Sequence, residues 1–122
     1  MSKVNIKTTL RINNEQEIKE LKGIIQDNIL KFRNDPFKTT FNYNTNTLIN
    51  ENEETRLEIN FDLKKTTSKF LLKELNQEVE INIKTKKIIK ENYNIDIEYK
   101  VLDTNEEFNY KIEVIQWVLL KT

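Results

Sequence analysis

The chain has 122 residues, a length that suits a single domain spanning 1–122, and its 20 basic and 20 acidic side chains cancel. Zero net charge argues against a generic polyanion binder, because phosphate recognition usually rests on an excess of Lys and Arg. The absence of cysteine and histidine removes disulfides, thiolate nucleophiles, the usual zinc sites and Ser-His or Cys-His catalysis. Alanine is absent, Gly23 and Pro36 are the sole glycine and proline, and Ile, Leu, Phe, Tyr and Thr are plentiful. That balance favours residues that fill a pleated surface over good helix formers.

A period of two recurs along the chain. Val4, Ile6, Thr8, Leu10 and Ile12 alternate with polar residues and predict a first strand that turns at Asn13-Asn14. Residues 15–33 read two ways. Ile18, Leu21, Ile25, Ile29 and Phe32 fall at helical spacing, with Asn14 as a cap. Gly23 would then sit mid-helix at a cost of roughly 1 kcal/mol, and Gln26-Asp27-Asn28 is a natural turn, so a hairpin is the preferred reading and an α+β fold the alternative. Asn34-Asp35-Pro36 breaks the chain before a strand through Phe37, Thr39, Phe41 and Tyr43, and Leu48-Ile49 marks a short one.

After a polar loop, Leu57, Ile59, Phe61 and Leu63 alternate. A bend follows at Lys64-Lys65, then a strand through Thr66, Ser68, Phe70 and Leu72. Leu75-Asn76-Gln77 is expected to turn the chain into a strand through Val79, Ile81, Ile83 and Thr85, with a separate short strand opening at Ile88-Ile89. Tyr93 to Leu102 is the longest unbroken alternation. Phe108, Tyr110, Ile112 and Val114 follow, after which the phase slips to Ile115, Trp117 and Leu119, the mark of a β-bulge. The sum is an all-β fold of eight to ten short strands, closing most easily as an antiparallel up-and-down barrel.

No start-of-chain apolar run has signal-peptide length, and no stretch approaches the roughly 20 apolar residues that span a bilayer, which predicts a soluble cytoplasmic protein.

The order of elements resembles the YwiB-like family of small uncharacterised bacterial proteins. The resemblance runs through Phe61 and Phe70, the turn at Asn76, the segment Glu78-Val79-Glu80-Ile81-Asn82-Ile83-Lys84-Thr85 with Ile88, and Ile95-Asp96-Ile97-Glu98-Tyr99. Gly23 before Ile24-Ile25 resembles the family's early glycine and aromatic pair, and Phe32-Arg33-Asn34-Asp35 its aromatic-x-acidic segment. Asn, Asp and Lys stand where the family's turns hold glycine. The resemblance implies a calycin-like barrel, a bacterial cytoplasmic setting and the habit of enclosing a small ligand. It implies no activity.

Three candidate sites follow. A barrel interior lined by Phe41, Phe61, Phe70, Ile83, Ile97, Tyr99, Tyr110 and Trp117 could hold a small apolar or amphipathic ligand or simply pack solid. An open, partly polar cavity behind Tyr99 would favour the ligand. The apolar run Ile115 to Leu120 exceeds what one barrel wall buries, so it is either buried on both faces or covered by a second copy or a partner protein. Lys84, Lys86, Lys87 and Lys90 near Phe70 and Tyr93 could form an OB-like face for single-stranded nucleic acid. The simpler reading pairs the eight lysines of residues 64–90 with the seven acids of residues 91–114 across neighbouring strands. Asp96 and Glu98, two apart on one strand, lack the apolar pocket that a general acid needs, and Glu51, Glu53 and Glu54 read as a solvated loop rather than a cation site. No enzyme, metal or cofactor is expected.

Overall fold

Asparagine takes the part that glycine usually plays in hairpin turns. Among the described residues the left-handed backbone conformations fall at Asn13, Asp27, Asn28, Asn46, Asn76, Asn92 and Asn105, whose short polar side chains tolerate positive φ. The computed structural model describes residues 1–118. The left-handed residues lie in six of the ten connections between eleven strands: β1 (Ser2–Ile12), β2 (Glu15–Gln26), β3 (Ile29–Asn34), β4 (Phe37–Asn42), β5 (Thr47–Glu51), β6 (Thr55–Asn60), β7 (Thr67–Leu72), β8 (Gln77–Glu80), β9 (Ile83–Glu91), β10 (Asn94–Val101) and β11 (Glu106–Val118). No helix occurs among the described residues, and none is long and apolar enough to cross a membrane. Residues 15–33 form a hairpin that turns at Asp27-Asn28, so the helical alternative is set aside.

All eleven strands belong to one antiparallel sheet, ordered β8-β7-β6-β5-β4-β3-β2-β1-β11-β10-β9. Every neighbour follows its partner in sequence except at β1–β11, where the first strand lies beside the last. Direction can be traced through the antiparallel ladders. Seven reversals lead from β1 to β8 and three from β1 through β11 and β10 to β9, both odd, so β8 and β9 run the same way. Only Ile81 and Asn82 separate them. They therefore act as one bent strand whose first half pairs with β7 and whose second half pairs with β10. The bend carries the chain from one edge of the sheet to the other and curls the sheet into a barrel-like form. Its corner is held by Ile81 N–H donating to the Ser68 carbonyl at 3.4 Å, Leu102 N–H donating to the Asn82 carbonyl at 2.8 Å, and a Thr66–Thr85 hydroxyl contact.

This corrects two expectations: there are eleven strands rather than eight to ten, and the break falls at Ile81-Asn82 rather than before Ile88. Ile88 continues β9 because the slip from Thr85 to Ile88 is absorbed by a bulge at Lys86, where Glu98 faces Lys87 and Tyr99 faces Thr85. The bulge expected at Ile115 is present: Asn5 faces Gln116 and Ile6 faces Val114.

Alternation puts one face of each strand inside. Ile6, Leu30, Phe41, Phe61, Ile97 and Ile112 are almost wholly buried and fill the middle of the barrel. One end is closed by an edge-to-face aromatic chain, Phe41–Tyr43–Tyr93–Trp117, with centroids 5.0, 5.0 and 5.4 Å apart. Tyr43 Oη donates to the Tyr93 carbonyl at 3.0 Å, Tyr93 Oη to Asn28 Oδ1 at 2.8 Å, and Lys90 Nζ to the Tyr43 carbonyl at 2.7 Å. These contacts tie the β9–β10 turn to the turns after β2 and β4.

Gly23 sits where the β2–β3 ladder begins, facing Val4 on one side and Phe32 on the other. A Cβ there would lie 3.0 Å from Leu30 Cδ1 and 3.2 Å from the Lys31 carbonyl oxygen, so the bare backbone lets β3 approach closely.

Candidate ligand cavity

β2 outruns β3. It pairs with β1 along its whole length, but with β3 only over Gly23–Gln26, so residues 15–22 form a wall with one free edge. Where β3 no longer covers the interior, a cavity of about 240 Å³ opens at the end of the barrel opposite the aromatic chain. β1 contributes Thr8 and Leu10, β2 Glu17 and Lys19, β4 Thr39, β5 Leu48 and Asn50, β6 Leu57 and Ile59, β10 Tyr99 and β11 Tyr110. Asn34 ends β3 at the rim.

The rim is bridged by Lys19. Its Nζ donates to Asn34 Oδ1 at 2.8 Å and lies 3.0 Å from Glu17 Oε1, which spans the gap between the free wall of β2 and the end of β3. Register explains why a lysine faces inward, since Lys19 stands opposite Thr8 and Glu17 opposite Leu10. Deeper in, the Thr39 hydroxyl donates to Asn50 Oδ1 at 2.9 Å. Tyr99 and Tyr110 border the cavity with their phenols, and neither is among the buried polar atoms that lack a hydrogen-bond partner, which among the described residues are Asn46 Oδ1 and Ser68 Oγ, both outside the cavity lining.

Burial pushes both phenols well above the ordinary tyrosine value, and for Tyr110 the nearby Tyr99 and Tyr43 add to the shift. They are neutral at any physiological pH, each with one hydrogen to donate and lone pairs to accept with. Tyr99 is held by rings on both sides, tilted against Phe61 at 5.0 Å and stacked on Phe108 at 4.9 Å. The cavity therefore offers a fixed apolar wall with a few hydrogen-bonding groups, the usual composition of a small-molecule site.

Of the eight residues expected to line a ligand site, Tyr99 and Tyr110 border this cavity. Phe41, Phe61, Ile83 and Ile97 are buried in the packed interior, and Phe70 is half-buried on β7 beneath the edge strand β8. Trp117 stands opposite Val4 at the other end, four residues and about 13 Å along β1 from Thr8. Sequence reasoning missed Lys19, Glu17, Asn34 and Asn50 because they are polar. The signal that could have found them is the phase of β2, which puts Lys19 on the same face as Leu21 and Ile25.

The lysines considered for nucleic acid are largely engaged. Lys87 lies 3.5 Å from Asp96 and 3.4 Å from Glu98, and Lys86 lies 2.9 Å from Glu107. Asp96 first, and Glu98 with it, raise the Lys87 pKa, while Lys86 lowers that of Glu107. Lys90 is turned to the Tyr43 carbonyl, and Lys84 stands opposite Lys100. Glu51 is bound by Arg56 and Lys73 at 3.5 and 3.2 Å, and among the described residues no acidic group is placed to hold a metal ion. The end of β11 is exposed rather than buried on both faces: Ile115 and Trp117 keep 47% of their surface in water and Val118 keeps 39%. Leu119 and Leu120 lie outside the described residues.

No protein-family model matches this chain, and no curated protein does. Among solved structures, the chain is similar to the crystal structure of the ywiB protein from Bacillus subtilis, at 14% identity over 94% of this chain and 92% of that one, with a TM-score of 0.40.

Proposed function

We propose that this is a non-catalytic barrel of the calycin type that binds a small amphipathic molecule in the cavity beside Tyr99 and Tyr110. The observation that carries the reading is a partly polar opening, bordered by the side chains of Tyr99 and Tyr110, in a barrel that is otherwise filled. The size limits the ligand. A cavity of about 240 Å³ lies below the usual span of drug-sized ligand pockets, so it suits a small molecule. Short carboxylates, small phenols and cyclic ketones match, each with an apolar body and a group that can accept from a phenol. Long fatty acids do not fit. Binding must raise thermal stability by mass action. A melting-temperature screen of such compounds should give saturable increases that Tyr99→Phe with Tyr110→Phe removes or weakens about tenfold, the worth of one or two hydrogen bonds. A flat response across the panel would leave the cavity as a packing defect.

A second reading, a protein-interaction module, is supported by the apolar surface at Ile115, Trp117 and Val118. If copies associate there, sedimentation at micromolar concentration should show a dimer that Ile115→Lys shifts to monomer, and a monomer in both cases would end this reading.

A further inference from the structure

We propose that the outer face of β1 to β5 is a docking groove for an acidic peptide segment held in an extended conformation. A groove of about 830 Å³ lies along these strands and shares only Thr39 with the lining of the cavity. Lys3, Lys22, Lys31, Arg33 and Lys38 border it, from four successive strands. Among the described residues none of the four lysines has an ion-pair partner, and Arg33 has only the exposed Asp35 at 3.5 Å. The one carboxylate in the groove, Glu51, is already taken by Arg56 and Lys73. In a chain of zero net charge this is a local surplus without compensation, and the contrast is with Lys87, neutralised across its own hairpin by Asp96 and Glu98, and Lys86, neutralised by Glu107 two strands away.

Register shows what the groove would fit. The ladders place Val118, Lys3, Ile24, Lys31, Thr40 and Ile49 in one row across six strands. At about 4.8 Å per strand the row is about 24 Å long, the reach of roughly seven extended residues. Ile24 and Val118 are 38% and 39% exposed, so cations and apolar side chains alternate along the groove. An occupant with interspersed acidic and apolar side chains matches both. Nucleic acid matches poorly, because bases need rings to stack on and the groove's one aromatic, Phe32, is buried.

The test is fluorescence anisotropy with a labelled eight-residue peptide alternating Glu and Leu, beside its Lys-Leu counterpart and a labelled single-stranded RNA of similar length. The expected result is saturable binding of the Glu-Leu peptide at low salt, weakened by about tenfold or more at high salt and by Lys22→Glu, Lys31→Glu and Lys38→Glu together. Circular dichroism confirms that the triple variant is folded, and Lys31→Glu alone, at an exposed position, replaces it otherwise. No binding of the Glu-Leu peptide, equal binding of the Lys-Leu peptide, or binding that survives the charge reversals overturns the proposal. So does RNA that binds more tightly through the same lysines, which would make the groove a nucleic-acid site.

Discussion

Phe41→Ala is expected to destabilise the protein by about 3–5 kcal/mol, the usual cost of emptying a buried aromatic position. Phe41 has no exposed surface, stands between Leu30 and Leu48 in the ladders, and meets the Tyr43 ring edge-on at 5.0 Å. Its neighbours belong to different strands of a curved sheet and cannot collapse into the space without moving those strands. In a domain of this size the loss corresponds to a drop in melting temperature of roughly 10–20 °C. Urea melts of Phe41→Ala and Phe70→Ala together provide the check. Phe70 is half-buried and flanked by an edge strand whose Val79 is 45% exposed, so its removal should cost less than half as much. Equal costs would mean that the core is not centred on β3, β4 and β5.

Raising the pH past 10 is expected to unfold the protein cooperatively. Tyr43, Tyr99 and Tyr110 all have phenols pushed well above their ordinary value of 10.0, chiefly by burial. Raised values mean that the fold favours the neutral phenol. That preference contributes fully below about pH 10, where the unfolded chain's phenols are neutral too, and is lost as pH rises above 10 toward the folded values. Absorbance at the phenolate band should therefore show these three tyrosines ionising together with the loss of circular dichroism, not ahead of it. Tyr99→Phe with Tyr110→Phe should move the transition to higher pH. If all tyrosines titrate smoothly with the fold intact, the cavity is wetter than its lining suggests, and the ligand reading weakens with it.

Much of the architecture was legible because strand period and turn chemistry agree. Asn13, Asp27-Asn28 and Asn76 lie in turns where polar clusters were expected, and the phase slip at Ile115 is a bulge. The helical spacing of residues 15–33 had a simple origin. Ile18 faces outward and is 51% exposed, whereas Leu21 and Ile25 face the interior, so side chains from both faces of one strand imitated a helical stripe. The bent strand was not legible. Val79, Ile81, Ile83 and Thr85 keep one unbroken phase, and nothing local records that hydrogen bonding passes from β7 to β10 at Ile81-Asn82. The site was half-legible for a similar reason. Tyr99 and Tyr110 follow from alternation, but the opening depends on where the β2–β3 ladder stops, which is a difference in strand length and carries no residue signature.

The pairing of β1 with β11 has a further consequence for synthesis and folding. Asn5 Nδ2 donates to Gln116 Oε1 across 111 positions of sequence, so β1 waits for the much later β11. Loop closure over that span costs only slowly growing entropy, but it cannot begin until β11 leaves the ribosome. Until then the nascent β1–β8 meander presents the outer edge of β1 as a bare template for strands of other chains. Lys3, Lys7 and Arg11, spaced every fourth residue along the solvent face of β1, place like charges against a second copy of the same strand. Pairing of the bare edge with a second copy of β1 would have to bring these like charges together.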